Sequence, residues 1–464
     1  MTDSVPSSTV QPGSALDRAS RLLLILLLVG CLGAVGGLVF LAGGVAAVLG
    51  NLSFRLYALL GLSGAAAFGG SLFLKAEIRA GLAVTALMLL LGLGLCELYL
   101  GRDEVINSSV AFAKAAGKRF DTRTIGQVVA EARAKGEQLW ITVHPEEFIP
   151  APAQIDGRPA VPLGSVAKAR VAMCNEAGDY LLIDTDEMGF NNPRGLWRPG
   201  MDILAIGDSY AEGWCVAREA SFVGQIRQRH PLTVNVARGG LGPLAELALL
   251  REYAPRLKPK TILWFFFEND EEGLRNELAS PVLRAYLDDP AFSQELAARA
   301  DAADQVVRAR SEEMLARQSR RSSLPFKGWR HVINEKLPGF FYERDKKRQA
   351  ASGDYAANFR RVMLAARQAA NAQGARLLFV YLGSYKGFGM EEYWRSMTTL
   401  RAVTMEVVNE LGIPALDTVP AVLAYEPKAP ERLHVFGRAG HYNEEGHALI
   451  GRLVLEWLAA QEAR

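Results

Sequence analysis

Four short strings in this chain carry residues suited to acyl-transfer chemistry. Ile206-Gly207-Asp208-Ser209-Tyr210-Ala211-Glu212-Gly213 follows the apolar run Ile203 to Ile206 and precedes a segment that can be helical. A serine in that position sits at the mouth of a helix, where backbone N–H groups converge and the dipole favours negative charge. Acyl transfer needs both a nucleophile and donors for the oxyanion it creates. Asp and Ser also cap helices well, so the string by itself equally describes a helix start after a strand. Three further strings add to it. Thr233 to Ala237 runs into Arg238-Gly239-Gly240-Leu241-Gly242-Pro243, Ile262 to Phe267 ends in Glu268-Asn269-Asp270, and Gly440-His441-Tyr442-Asn443 precedes a helical pattern. Ligands of open α/β sheets bind beyond the carboxyl ends of the strands, which is where Ser209, Gly240 and Asn269 would gather.

Taken together and in this order, the four blocks resemble those of the SGNH (GDSL-type) hydrolase family. The resemblance implies Ser209 as nucleophile and His441 as its general base. It also implies an oxyanion hole built from the Ser209 N–H, the Gly240 N–H and the Asn269 side-chain amide. It covers roughly residues 200–275 and 356–464. The string Asp186 to Pro193 also looks like the lead-in of membrane-linked bacterial members. Two positions depart from the family pattern. The family's Asp three residues before the His is Arg438 here, with Ala439 one residue further on, and its Gly two before the Asn is Phe267. Losing the acid of a triad can cost about four decades in kcat. Asp417, after the apolar run Ile413 to Leu416, is the first substitute and Glu431 the second. A Ser–His dyad and a decayed site are the alternatives. His434, in an aromatic-rich loop, is a candidate pocket residue. His447 lies on the following helix, and His144 and His230 precede Pro and read as turn residues.

These residues need a scaffold that brings strand ends together. Strand patterns at Ile203–Ile206, Thr233–Val236, Ile262–Phe267, Arg376–Leu382 and Ile413–Leu416 alternate with helical ones at Pro243–Tyr253, Tyr355–Ala372 and Tyr393–Leu411. Such alternation predicts an α/β fold with a parallel sheet between two helical layers, a three-layer flavodoxin-like arrangement. Residues 200–464 form this hydrolase-like domain and 102–199 a lead-in segment. At about 271–354 the alternation gives way to a charged, Ala-rich insertion. Residues 317–348 of it turn basic, with Trp329, Phe340, Phe341 and Tyr342 interleaved. That segment reads either as a cap over the site or as a surface for anionic lipid headgroups.

The amino-terminal part has another character. Three uncharged runs, Leu22 to Phe54, Leu56 to Leu74 and Ala80 to Cys96, stand side by side and give expected spans of about 22–49, 56–74 and 79–100, since a membrane span needs roughly 20 apolar residues. Three transmembrane helices over 22–101 are therefore expected, after a cytoplasmic tail at 1–21. Arg18, Arg21, Lys75 and Arg79 place the amino terminus and the loop after the second run in the cytoplasm, and the catalytic part outside, in the periplasm of a Gram-negative cell. Cys174 and Cys215 could then pair. Two buried free thiols are the alternative.

The chain has 464 residues and a formal charge of +2, so no nucleic-acid partner is implied. No metal-ligand spacing or phosphate loop is visible, and no cofactor or metal is expected. The expected partners are an acyl ester or glycan substrate and the lipid bilayer, with any membrane partner protein unidentified. The resulting expectation is a membrane-anchored serine esterase or O-acyltransferase acting on acyl or acetyl esters, with the glycan assignment resting on the resemblance. A lipase or lysophospholipase, and an inactive glycan-binding component of a membrane complex, are the other readings.

Overall fold

The computed structural model describes residues 10–42, 44–50, 52–323, 326–336, 354–385, 391–437 and 439–463. They form two compact units, one from the described residues of 1–106 and 325–344, the other from those of 107–324 and 345–464.

The first unit holds helices Ala15–Ala42, Val45–Gly50, Leu52–Ser71 and Ala76–Leu100. Two, not the expected three, are long and apolar enough to cross a membrane, namely Ala15–Phe40 and Ala76–Leu100. Leu52–Ser71 is helical, but Arg55, Tyr57 and its many Gly, Ala and Ser residues dilute its hydropathy. Those small residues serve packing instead. A Cβ on Gly61 would lie 2.5 Å from Val35, and one on Gly64 would lie 3.0 Å from Cys31 Sγ. Small residues permit such close approach between apolar helices. Asp17 and Arg79 form a buried ion pair, and Arg79 also donates to the Leu72 and Leu74 carbonyls. The start of the first helix and the turn before the last one therefore lie at the same end of this unit.

Part of the expected insertion also belongs here. Helix Lys327–His331 meets the carboxylate of Glu97, which accepts the Gly328 and Trp329 N–H groups at 3.0 and 2.9 Å. The Trp329 indole donates to Leu93 O at 3.1 Å, and Lys327 pairs with Asp103. Of the aromatic and basic residues singled out in 317–348, those from Phe340 onward lie outside the described residues.

The second unit contains twelve strands, numbered in chain order: β1 (Leu139–Ile141), β2 (Ala153–Ile155), β3 (Arg158–Ala160), β4 (Arg170–Cys174), β5 (Leu181–Asp184), β6 (Ile203–Ile206), β7 (Thr233–Asn235), β8 (Thr261–Phe266), β9 (Arg376–Tyr381), β10 (Ala415–Asp417), β11 (His434–Val435) and β12 (Ala439–Tyr442). The five-stranded sheet has the order β10-β9-β8-β6-β7 and is parallel throughout. By sequence this is 2-1-3-4-5, the flavodoxin-like order, whose switch point falls between β6 and β8. Both strands are buried along their length, as a sheet covered on two faces requires. Helices Phe222–Arg229 and Glu444–Glu462 pack together, and Asp354–Ala372 packs with Pro243–Leu257 and Glu391–Glu410.

The lead-in is a folded part of this unit. β1, β4 and β5 form a second sheet. The helix Ala300–Ser323 packs against β1 and β2, with Arg133 paired to Glu312 and Arg308 over the Trp140 ring at 4.9 Å. The long helix of the insertion thus covers the lead-in sheet. Asp186 ties its own loop together, accepting from the Met188 and Phe190 N–H groups, the Asn192 amide and the Trp197 indole. Asn192 in turn clamps Asn235 at the end of β7 by two bonds of 2.8 Å.

Candidate active site

Ser209 opens the short helix Ser209–Glu212 directly after β6, with Asp208 as its cap accepting the Tyr210 N–H at 2.9 Å. The turn is tight. A Cβ on Gly207 would come within 2.8 Å of both Ala211 and the Phe265 carbonyl, so only glycine fits. Ser209 is 8% exposed. Its Oγ lies 2.7 Å from His441 Nε2, on β12.

The other face of that imidazole meets an unexpected residue. His441 Nδ1 lies 3.0 Å from both carboxylate oxygens of Glu176, and the His441 backbone N–H donates to the same carboxylate at 2.9 Å. A carboxylate only accepts, so the Nδ1 proton points to Glu176 and the Nε2 lone pair to the Ser209 hydroxyl. Tyr210 and Trp214 flank the ring, with centroids 4.7 and 6.0 Å away.

Glu176 follows β4, in the lead-in. A disulfide joins Cys174, two residues before it, to Cys215, six residues after Ser209, with a Cα–Cα distance of 5.6 Å. The Glu176 N–H also donates to Cys215 Sγ at 3.1 Å. The disulfide therefore ties the carboxylate to the loop that carries the serine. Of the two cysteine alternatives, the paired one is found.

Asp417 and Glu431, the expected third members, do not fill that place. Asp417 is held by Arg401 at 2.6 Å and caps the following turn through the Val419 N–H. Glu431 lies in the 3₁₀ helix Pro430–Leu433 before β11. The family's acid position, Arg438, lies outside the described residues. The missed signal was in the cysteines: pairing Cys174 with Cys215 carries Glu176 toward Ser209.

Gly240 has φ +76°, a conformation that favours glycine, in the turn after β7. Neither its N–H nor that of Ser209 has an acceptor among the described residues. The turn is held from below. Glu212 and Arg238 form a fully buried ion pair, and Glu212 also accepts the Gly239 N–H at 2.7 Å. Arg238 reaches across to the Thr142 hydroxyl and Val143 carbonyl at the end of β1. Asn269 is exposed at the start of helix Asp270–Glu277, after β8. Asp208 is fully buried, and burial pushes its carboxyl above the ordinary range.

Beneath these groups lies a set of buried acids. Glu277 accepts the N–H groups of Gly242, Leu244 and Ala245 and so caps helix Pro243–Leu257. Burial pushes its carboxyl up to about 7. Burial raises Glu246 and Asp270 well above their ordinary values, and the neighbouring acids add to it.

The remaining histidines separate clearly. His434 is buried, accepting the Tyr385 N–H and donating to Gly440 O, so it supports the β12 turn and does not line a pocket. His447 is buried against Phe222 and pushed down to about 3 by burial, hence neutral. His144, expected as a turn residue, lies beside the Gly239–Gly240 turn.

No protein-family model and no curated protein matches this chain. Solved structures do. A lipase/acylhydrolase from Enterococcus faecalis aligns at 14% identity over 56% of this chain and 97% of its own, with a TM-score of 0.32. An acetyl xylan esterase from Geobacillus stearothermophilus aligns at 14% identity over 56% and 95%, with a TM-score of 0.32. A psychrotrophic esterase from Pseudoalteromonas aligns at 9% identity over 57% and 100%, with a TM-score of 0.30.

Proposed function

We propose that the chain is a serine esterase or O-acyltransferase of the SGNH type, working through an acyl-enzyme on Ser209. The observation that carries this is the continuous chain Ser209 Oγ, His441 Nε2, His441 Nδ1, Glu176, with steps of 2.7 and 3.0 Å. In this reading Ser209 Oγ attacks the acyl carbonyl while His441 Nε2 takes its proton. Glu176 holds the imidazole tautomer and stabilises the imidazolium, the task an acid performs in such triads. The Ser209 and Gly240 N–H groups, with the Asn269 amide, receive the oxyanion. His441 then protonates the leaving oxygen. Water or a second hydroxyl attacks the acyl carbon and gives its proton to His441, which returns it to Oγ as the acyl bond to Oγ breaks.

An assembled relay argues against a decayed site. The exposed groups near the serine, Glu146, Gly240 and Asn269, are small or polar, which suits a short acyl group on a polar carrier better than a lipid chain. An acetylated or acylated glycan of the cell envelope is the proposed substrate. The chain is proposed to be held in the cell membrane by its two long apolar helices, with the catalytic unit outside, where a disulfide such as Cys174–Cys215 persists.

The test is p-nitrophenyl acetate turnover by the full chain in detergent. Release of p-nitrophenol that disappears in Ser209→Ala and His441→Ala supports the reading. Release that survives both substitutions rejects it.

A further inference from the structure

We propose that His144, Glu146 and Trp214 form a hydroxyl-binding subsite beside Ser209, one that seats a sugar as acyl carrier or acceptor. This rests on the acyl-enzyme reading above and adds the recognition of the substrate's polar part. Two of the three residues come from the lead-in, outside the blocks that resemble a hydrolase.

The geometry is local to the reacting groups. The Trp214 ring lies between two imidazoles, 5.0 Å from His144 and 6.0 Å from His441. It is half-buried, so part of the indole meets solvent. Glu146, in the turn Pro145–Phe148, is exposed and stands over the oxyanion turn, since a Cβ on Gly240 would lie 2.6 Å from its Oε2. His144 Nδ1 lies 3.1 Å from Gly239 O. A carbonyl only accepts, so the Nδ1 proton is committed there and Nε2 carries a lone pair. Burial and the nearby Arg238 push this imidazole down to about 3, so it stays neutral and keeps the lone pair.

The chemistry of this set selects its ligand. A carboxylate and a neutral imidazole nitrogen are acceptors, so they call for a ligand rich in hydrogen-bond donors. The indole offers a flat apolar surface for the C–H face of a pyranose ring. Hydroxyls on one edge and C–H groups on the face describe a sugar. In the transfer step, a sugar hydroxyl oxygen bonds to the acyl carbon of the Ser209 ester and passes its proton to His441 Nε2. The carbon–Oγ bond then breaks, and Oγ recovers the proton.

The test uses the full chain in detergent, with p-nitrophenyl acetate as donor and cellopentaose as acceptor. Release of p-nitrophenol reports the acyl-enzyme, and acetyl recovered on the sugar reports the subsite. Wild type is expected to acetylate the sugar in competition with water. Glu146→Gln and Trp214→Ala should each lower the sugar-to-water ratio about tenfold or more, as loss of a hydrogen bond to a charged group or of a stacking face would. Trp214→Phe should restore part of it. A ratio that neither substitution moves, or no sugar product from an active wild type, overturns the subsite and leaves the nucleophile standing. Absent p-nitrophenol release overturns the underlying reading instead. Saturation-transfer NMR of cellopentaose on Ser209→Ala protein then decides the subsite alone: contact weakened by Glu146→Gln supports it, and no contact rejects it.

Discussion

In the proposed reaction Ser209 gives its proton to His441 Nε2, and the positive charge this creates needs an imidazole whose other nitrogen is already held. Glu176 is placed to meet that need from a segment outside the family resemblance; strand ends pointed to Ser209, Gly240 and Asn269, and the string before the last helix pointed to His441, but neither signal pointed to Glu176. Each of those four sits in a short string beside a recognisable strand or helix, whereas Glu176 is brought near them by the disulfide and the second sheet. Residue-scale energetics concentrate at Glu212 and Arg238, fully buried behind the Gly239–Gly240 turn. Removing one partner of a buried pair leaves an uncompensated charge. Glu212→Gln should therefore cost about 3–5 kcal/mol of stability, measured by urea unfolding of the full chain in detergent. A cost below about 1 kcal/mol, the value of a surface pair, would show that the pair is not what holds the Gly239 turn.

At the level of elements, the five parallel strands were readable from their apolar runs and turn residues. Of the three-stranded sheet β1, β4 and β5, the last two were not, being only five and four residues long and ordered by pairing across the lead-in. The disulfide joins that sheet's β4 to the serine loop. Opening it with a reductant should release Glu176 and lower kcat about a hundredfold, the cost of a small misplacement of a catalytic group. Reoxidation should restore the rate, and a rate indifferent to reductant would show that Glu176 is held without the bond. The buried acids under the site predict a pH effect of definite sign. Burial pushes Glu277 up to about 7 against an ordinary 4.5, and it raises Glu246 well above its ordinary value. The folded state binds these protons more tightly than the unfolded chain. Stability is therefore fullest below about pH 4.5 for these groups and falls as pH rises toward their folded values, each unit of difference being worth about 1.4 kcal/mol. Glu246→Gln removes one such proton, so its Tm should exceed that of wild type at pH 8 and converge with it near pH 4.5. A Tm difference independent of pH would contradict this assignment.

Over the whole molecule, composition separated an apolar amino-terminal part from a soluble one, and the structure follows that division. It could not separate a membrane-spanning helix from a merely apolar one. Leu52–Ser71 carries Arg55 and many Gly, Ala and Ser residues, which lower its hydropathy while letting it approach the first helix closely. The insertion was legible as helical but not in its destination, since helix Ala300–Ser323 covers the lead-in sheet and Lys327–His331 joins the amino-terminal unit. The Asp17–Arg79 pair brings the start of the first apolar helix and the turn before the last one together. In intact spheroplasts, protease should cleave an epitope fused after residue 464 and spare one fused at the amino terminus. The reverse pattern would place the catalytic unit in the cytoplasm and remove the setting that the disulfide requires.

The most direct measurement is the rate at which a fluorophosphonate probe labels Ser209 in wild type, Glu176→Gln and Asp417→Asn. Wild type should label, Ser209→Ala should not, and Glu176→Gln should slow labelling about a hundredfold or more, as the loss of a triad acid does. Asp417→Asn should label like wild type. Normal labelling of Glu176→Gln, with slow labelling of Asp417→Asn, would contradict a triad whose acid comes from the lead-in.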